Sequence, residues 1–290
     1  MNYVFMTDSD SDLPYELKAL YDIPVVYMPY AMDGKEYFDD LGQTMDHKTY
    51  FDKMRAGATP STSALNQMTY VEYFEPILES GKDLLFVAFS SQLSCTIQAV
   101  YAAREELLEK YPERKFIVVD TLSISGPMTI LILKAHEMYR AGKPMEEVAQ
   151  WLEENKLRAH AFFTVDDLKY LKRGGRISST AAAMGTMLDL KPVITETREG
   201  KLNSVAKLRG RKKAINYLLE QTAENMLDPT EAPIIVLHAD APEEAARIHD
   251  QLLIRFPEAN VRIYPVGPVI GAHCGPGTVA ICFLGKERAQ

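Results

Sequence analysis

The chain has 290 residues, 47% of them hydrophobic and 25% charged, the profile of a folded protein with a real core. Its formal net charge of −8 opposes nucleic acid and anionic membrane as main partners, yet leaves room for a small anionic ligand in a locally positive pocket. Three sparse cysteines, Cys95, Cys274 and Cys282, show no CxxC spacing, which argues against a disulfide framework and fits a reducing compartment.

Tyr3–Met6 reads as a strand that runs into TDSDSDLP, where Pro14 is placed to open a helix. Val25–Met28 is a second strand. PSTSALN (60–66) precedes a helix to about Leu78, with Ser61, Thr62 or Ser63 as candidate caps. Leu84–Phe89 is a third strand, followed by SSQLSCT and a helix to about Tyr111. Phe116–Val119 leads through DTLSISG into another helix. Repeated strand-then-helix order predicts an α/β fold with a mostly parallel N-terminal sheet and flanking helices.

The second half changes character. Residues 161–165 (AFFTV) read as a strand, then come a short helix, the Gly-Gly break of LKRGGRIS, and an apolar helix, SSTAAAMGTMLDL. KPVITET and KLNSVAKL flank the turn REGK and form a predicted hairpin. A helix to about Met226 follows. Residues 234–239 and 261–266 read as strands around a helix near 243–255, and VAICFL (279–284) is the last strand. A second α/β domain with a mixed or antiparallel sheet is expected, with a soft boundary that gives domains 1–158 and 159–290. The first residues carry no basic segment followed by an apolar run, and no apolar stretch is long enough to span a bilayer, so a cytoplasmic location without stable membrane insertion is expected.

In open α/β sheets ligands bind beyond the carboxyl ends of the strands. Asp8, Ser9, Ser90, Ser91, Ser94, Asp120, Ser125 and His273 all follow predicted strands. Read singly, Asp8, Ser9 and Asp120 are turn formers and caps. Ser94 and Thr96 stand where a helix begins, so Ser94 either caps that helix or helps hold an anion there. Two arginines, Arg173 and Arg176, surround the Gly-Gly turn, either solvated or facing a carboxylate or phosphate. KLRGRKK (207–213) has five basic residues in seven and reads as solvated surface. There is no GxGxxG, GxxxxGK[ST], HExxH or GxSxG. His273 and Cys274 are neighbours that point apart on an extended chain, and no second pair has ligand spacing, so neither a metal nor a cofactor is expected.

Taken together, the stretches TDSDSDLP, PSTSALN, SSQLSCT, DTLSISG, DLKYLKRGGRIS and GPVIGAHCGPGT resemble the DegV family of bacterial fatty-acid-binding proteins, in order and over essentially the whole chain. The resemblance implies a non-enzymatic lipid-binding carrier, the acyl-carrying subunit of a fatty acid kinase. It implies a long-chain fatty acid between two domains, its carboxylate held by Thr62, Ser94 and His273, with Arg173 nearby and its tail in an apolar tunnel. Ser63, Cys95, Met184 and Met187 are pocket-lining candidates; Cys95 stands where the family has glycine. The bound acid would be presented to an ATP-binding kinase partner for phosphorylation to acyl phosphate. In this setting the glycines Gly271, Gly275 and Gly277 are expected to turn the chain tightly and bring His273 to the ligand. The rival reading is a hydrolase or acyl transferase with Ser94 as nucleophile and His273 as base. A DNA-linked regulator is disfavoured by the charge.

Overall fold

The structure, a computed structural model, describes residues 2–177 and 190–289. Met184 and Met187, with the rest of the predicted apolar helix up to Asp189, lie outside the described residues.

The N-terminal half forms the expected parallel sheet. Strands β1 (Tyr3–Asp8), β2 (Val25–Val26), β6 (Asp83–Ala88) and β7 (Phe116–Asp120) lie in the order β2-β1-β6-β7, all parallel. Their apolar runs are short and nearly continuous because helices cover them. These helices are α1 (Tyr15–Tyr21), α3 (Gln67–Glu79), α4 (Thr96–Lys110), α5 (Ser125–Arg140) and α6 (Met145–Asn155).

Between β2 and α3 lie a small antiparallel sheet and a helix that no periodicity in the sequence predicts. Strands β3 (Pro29–Met32), β4 (Lys35–Phe38) and β5 (Ser61–Thr62) run in the order β4-β3-β5, and α2 (His47–Arg55) follows β4. Asp33 and Gly34, both at positive φ (54° and 72°), make the hairpin turn. None of Ser61, Thr62 and Ser63 caps α3. Asn66 does, accepting from Thr69 N at 3.0 Å, so the Thr62 hydroxyl on β5 plays no part in capping.

The second half is a six-stranded mixed sheet, β10-β9-β8-β13-β11-β12. It comprises β8 (Ala159–Thr164), β9 (Leu190–Glu196), β10 (Leu202–Arg209), β11 (Ile234–His238), β12 (Val261–Pro265) and β13 (Val279–Leu284). Only β11 and β12 pair in parallel; β9 and β10 form the predicted hairpin. Strand alternation divides this sheet's two faces. Phe162, Val236, Ile281 and Phe283 pack in one cluster with Leu218 of α8 (Arg211–Asn225) and Ile248 of α9 (Pro242–Arg255). Ala161, Leu237, Ala280 and Cys282 join the large core of the other half. Helix α5 packs on this second face, against β8, β11 and β13, and also touches β1. Covered by both sheets, α5 is buried over most of its length, which explains its near-continuous apolar sequence.

Candidate functional site

Where α5 stops covering the sheet, a cavity of about 240 Å³ remains. Loops beyond the carboxyl ends of β1 and β6 supply Asp10, Phe89, Leu93, Ser94 and Cys95. The six-stranded sheet supplies Ala161, Phe163, Leu237 and Ala280, and the start of α5 adds Ile124 and Pro127. Thr62, Ser63 and His273 complete one part of the wall and Glu196 another. Most of this lining is apolar, and the polar groups are few and placed at particular points, the usual composition of a small-molecule site.

His273 is not on a tight turn. It lies in the last turn of α10 (Pro268–Cys274), which Pro268 opens at its first position and Gly275, at φ 78°, closes. Gly271 sits inside this helix, and the rings of Tyr50 and Phe51 from α2 press against it. Tyr50 Oη donates to Pro268 O at 2.7 Å, which pins α10 to α2. The helix delivers His273 Nε2 to 2.9 Å from Thr62 Oγ1. Its Nδ1 is buried without a hydrogen-bond partner among the described residues. Burial pushes the imidazole down to about 4, and the charges of Arg176 and Arg173 add to that shift. The ring is therefore neutral at pH 7 and can donate from one nitrogen while accepting at the other.

Gly174 explains how the ring is seated. A Cβ on this residue would lie 2.1 Å from His273 Nδ1. Gly174→Ala is expected to push the imidazole off Thr62 towards water. Resolvation favours the charged ring, so its titration midpoint rises from near 4 towards the unperturbed value of about 6.5. Two-dimensional NMR of the ring nitrogens reads this directly; identical midpoints in the two proteins would contradict the contact.

Ser94 Oγ lies 2.9 Å from Thr96 Oγ1 and accepts from Thr96 N at 3.2 Å in the turn before α4, whose N-cap position is Cys95, and it lines the cavity. Its hydroxyl is not bonded to His273, whose partner is Thr62. Ser63 and the exposed Cys95 also line the cavity. The two arginines of LKRGGRIS separate. Arg173, the one singled out from the sequence, ends α7 (Lys169–Arg173) exposed, its guanidinium 5.4 Å from the Tyr170 ring centroid. Arg176 is the one that lines the cavity, held by its Nε donating to Leu93 O at 3.1 Å. The motif could not separate them, because which side chain turns inward depends on how α7 packs against α10.

Cys274 is buried and its thiol is pushed up to about 12 by burial, so it is a packing group and not a thiolate. Among the described residues, no three His, Cys, Asp or Glu side chains come together as a metal site. Asp8 and Asp120 shape their own turns and tie them to the loop after β6: Asp8 accepts from Asp10 N and Phe89 N, Asp120 from Leu122 N and Ser91 N. Within KLRGRKK, Arg211 is the exception to solvated surface, since it pairs with Glu244 at 2.6 Å. Sequence reasoning missed Asp10 and Glu196, two buried carboxyl groups on the cavity wall. Asp10 stands in a loop-like acidic stretch and Glu196 at the end of a hairpin strand beside the REGK turn, and a charged residue at either place gave no sign of burial.

Residues 3–286 match the DegV family, described as "Uncharacterised protein, DegV family". A DegV domain-containing protein of Clostridium perfringens is 39% identical over 286 residues, covering 99% of this chain and 98% of that one. Among solved structures, a fatty-acid-binding DegV family protein of Thermus thermophilus aligns with a TM-score of 0.86 at 29% identity, covering 98% of this chain and all of the other (100%). DegV of Bacillus subtilis, described as a fatty acid binding protein, aligns with a TM-score of 0.82 at 28% identity, covering 99% and 100% of the two chains.

Proposed function

Because this chain belongs to the DegV family, we propose that it is a carrier that binds a long-chain fatty acid, with domains 1–158 and 159–290 on either side of the ligand. The observation that carries this reading is one apolar cavity whose wall includes Thr62, Ser94 and His273, with the threonine and imidazole already hydrogen-bonded at 2.9 Å. The fatty-acid binding of the Thermus and Bacillus relatives supports it.

A half-buried carboxylate is costly unless donors surround it. Thr62, Ser94 and the neutral His273 are such donors, and Arg176 supplies positive charge from the wall. The tail then provides the affinity. Each buried methylene contributes about 0.8 kcal/mol, so a chain of about sixteen carbons offers roughly 12 kcal/mol before ordering and association costs. The protein itself does no chemistry on this reading. It works in the cytoplasm and presents the carboxyl group to an ATP-dependent fatty acid kinase, which forms the acyl phosphate. Among the described residues no helix is long and apolar enough to cross a membrane.

Native mass spectrometry of the purified chain, followed by organic extraction, tests the reading. One fatty acid per chain and no turnover of activated esters is the expected result. Ester turnover lost on Ser94→Ala, with no lipid retained, would replace the carrier by the hydrolase.

A further inference from the structure

Asp10 lies on the single 3-10 turn Ser9–Ser11 that follows β1, and it is only 2% exposed. It lines the same cavity as Thr62, Ser94 and His273, and its Oδ1 has no hydrogen-bond partner among the described residues. Its neighbours on the chain differ in this respect. Asp8 accepts from two backbone amides, and Asp12 accepts from Gly267 N at 2.9 Å and from Ser125 Oγ. Their oxygens are engaged by the protein, whereas Asp10, a residue of the cavity wall, keeps Oδ1 without a partner among the described residues.

We propose that Asp10 is a further hydrogen-bond donor to the carboxylate of the bound fatty acid. The proposal rests on the carrier reading above and assigns a headgroup contact to a residue outside the hydroxyl and imidazole set. An ionised carboxylate without donors is strongly disfavoured in a dry site. A protonated carboxyl group instead carries an O–H that requires an acceptor, and two carboxyl groups side by side in such a site hold one proton between them. The charged and titratable groups around Asp10 favour this state on balance. Burial is the largest influence, and Asp8, Asp39 and Asp12 add negative charge, which together hold Asp10 well above the usual carboxylate range; Arg176 opposes them. From the other elements, Tyr70 of α3 interacts electrostatically with Asp8 and Asp10, and the neutral His273 faces the cavity from α10.

Palmitate affinity of the native chain, Asp10→Asn and Asp10→Ala at pH 6 and pH 9 tests this, with hexadecanol as a probe that lacks the carboxylate. Asparagine keeps a donor and cannot ionise, so its affinity matches the native chain at pH 6. Where rising pH removes the native Asp10 proton, the Asn variant binds tighter by about tenfold. Asp8 and Asp12, whose carboxyls are also raised, to about 7, titrate as well and feel the charge at position 10, so the decisive comparison is the one at pH 6, below both values. Alanine weakens palmitate at pH 6 by about tenfold and leaves hexadecanol unchanged. Thermal unfolding confirms that each variant is folded. Equal palmitate binding by native and Asp10→Ala overturns the assignment, as does an Asn variant already tighter by tenfold at pH 6, which would mean a repelling carboxylate. A native chain that binds no palmitate removes the carrier reading itself, and this assignment with it.

Discussion

Replacing Arg288 with alanine destabilises the chain by about 3–5 kcal/mol, because it strands Glu196 as an unpaired buried carboxylate. The two side chains are 2% and 1% exposed and lie 2.9 Å apart. Glu196, at the end of β9, also accepts from Ser123 Oγ at 2.7 Å and Ile124 N at 3.0 Å. Arg288 donates further to Leu122 O at 3.0 Å and Lys156 O at 3.3 Å. The pair therefore ties β9 to the loop before α5 and to the end of α6, and it fixes the part of the cavity wall that Glu196 forms. Burial is the largest influence on both groups, raising Glu196 and lowering Arg288, so desolvation outweighs their mutual attraction. The pair is then costly to break but is not in itself a large source of stability. The double variant Glu196→Gln, Arg288→Met accordingly recovers at least half of the loss, a strongly non-additive result. Urea midpoints at unchanged m-value measure both effects. A loss below about 1 kcal/mol for Arg288→Ala would show that water reaches the pair.

The second large effect is on ligand retention. His273→Ala is expected to weaken palmitate binding by about tenfold to a hundredfold, the worth of a hydrogen bond to a charged group. The imidazole sits beside Thr62 Oγ1 with its other nitrogen unpartnered, so removing it takes away a donor and loosens the threonine hydroxyl. A pH signature accompanies the loss. In the free protein the ring protonates only near 4, and a bound carboxylate raises that value. Between the free and bound values the complex takes up a proton, so affinity rises as pH falls through that window. The alanine variant lacks this component. Native-like affinity in His273→Ala would show that the imidazole does not face the headgroup.

The alternation of apolar strands with amphipathic helices was legible because buried parallel strands leave short continuous runs, and the REGK hairpin carried its own turn signal. The small sheet was not read, although Asp33-Gly34 between YAM and KEY is a hairpin signal; its strands are short and partly polar. Pro268 and Gly275 bracket α10 as a helix start and stop, but the density of glycine suggested a turn. Sequence motifs named Thr62, Ser94 and His273 without their relation. The bond between Thr62 and His273 depends on β5 pairing with β3, thirty or so positions away, while α10 packs on α2 across more than two hundred. The inward turn of Arg176 and the burial of Asp10 and Glu196 arise from tertiary packing alone, which no local pattern encodes.

A crystal structure of the chain grown with palmitate is the most direct measurement. The account predicts a carboxylate within hydrogen-bonding distance of Thr62, Ser94 and His273, and hydrocarbon running along Phe163, Leu237 and Ala280. A headgroup in bulk water, or a cavity free of hydrocarbon at saturating palmitate, would contradict it.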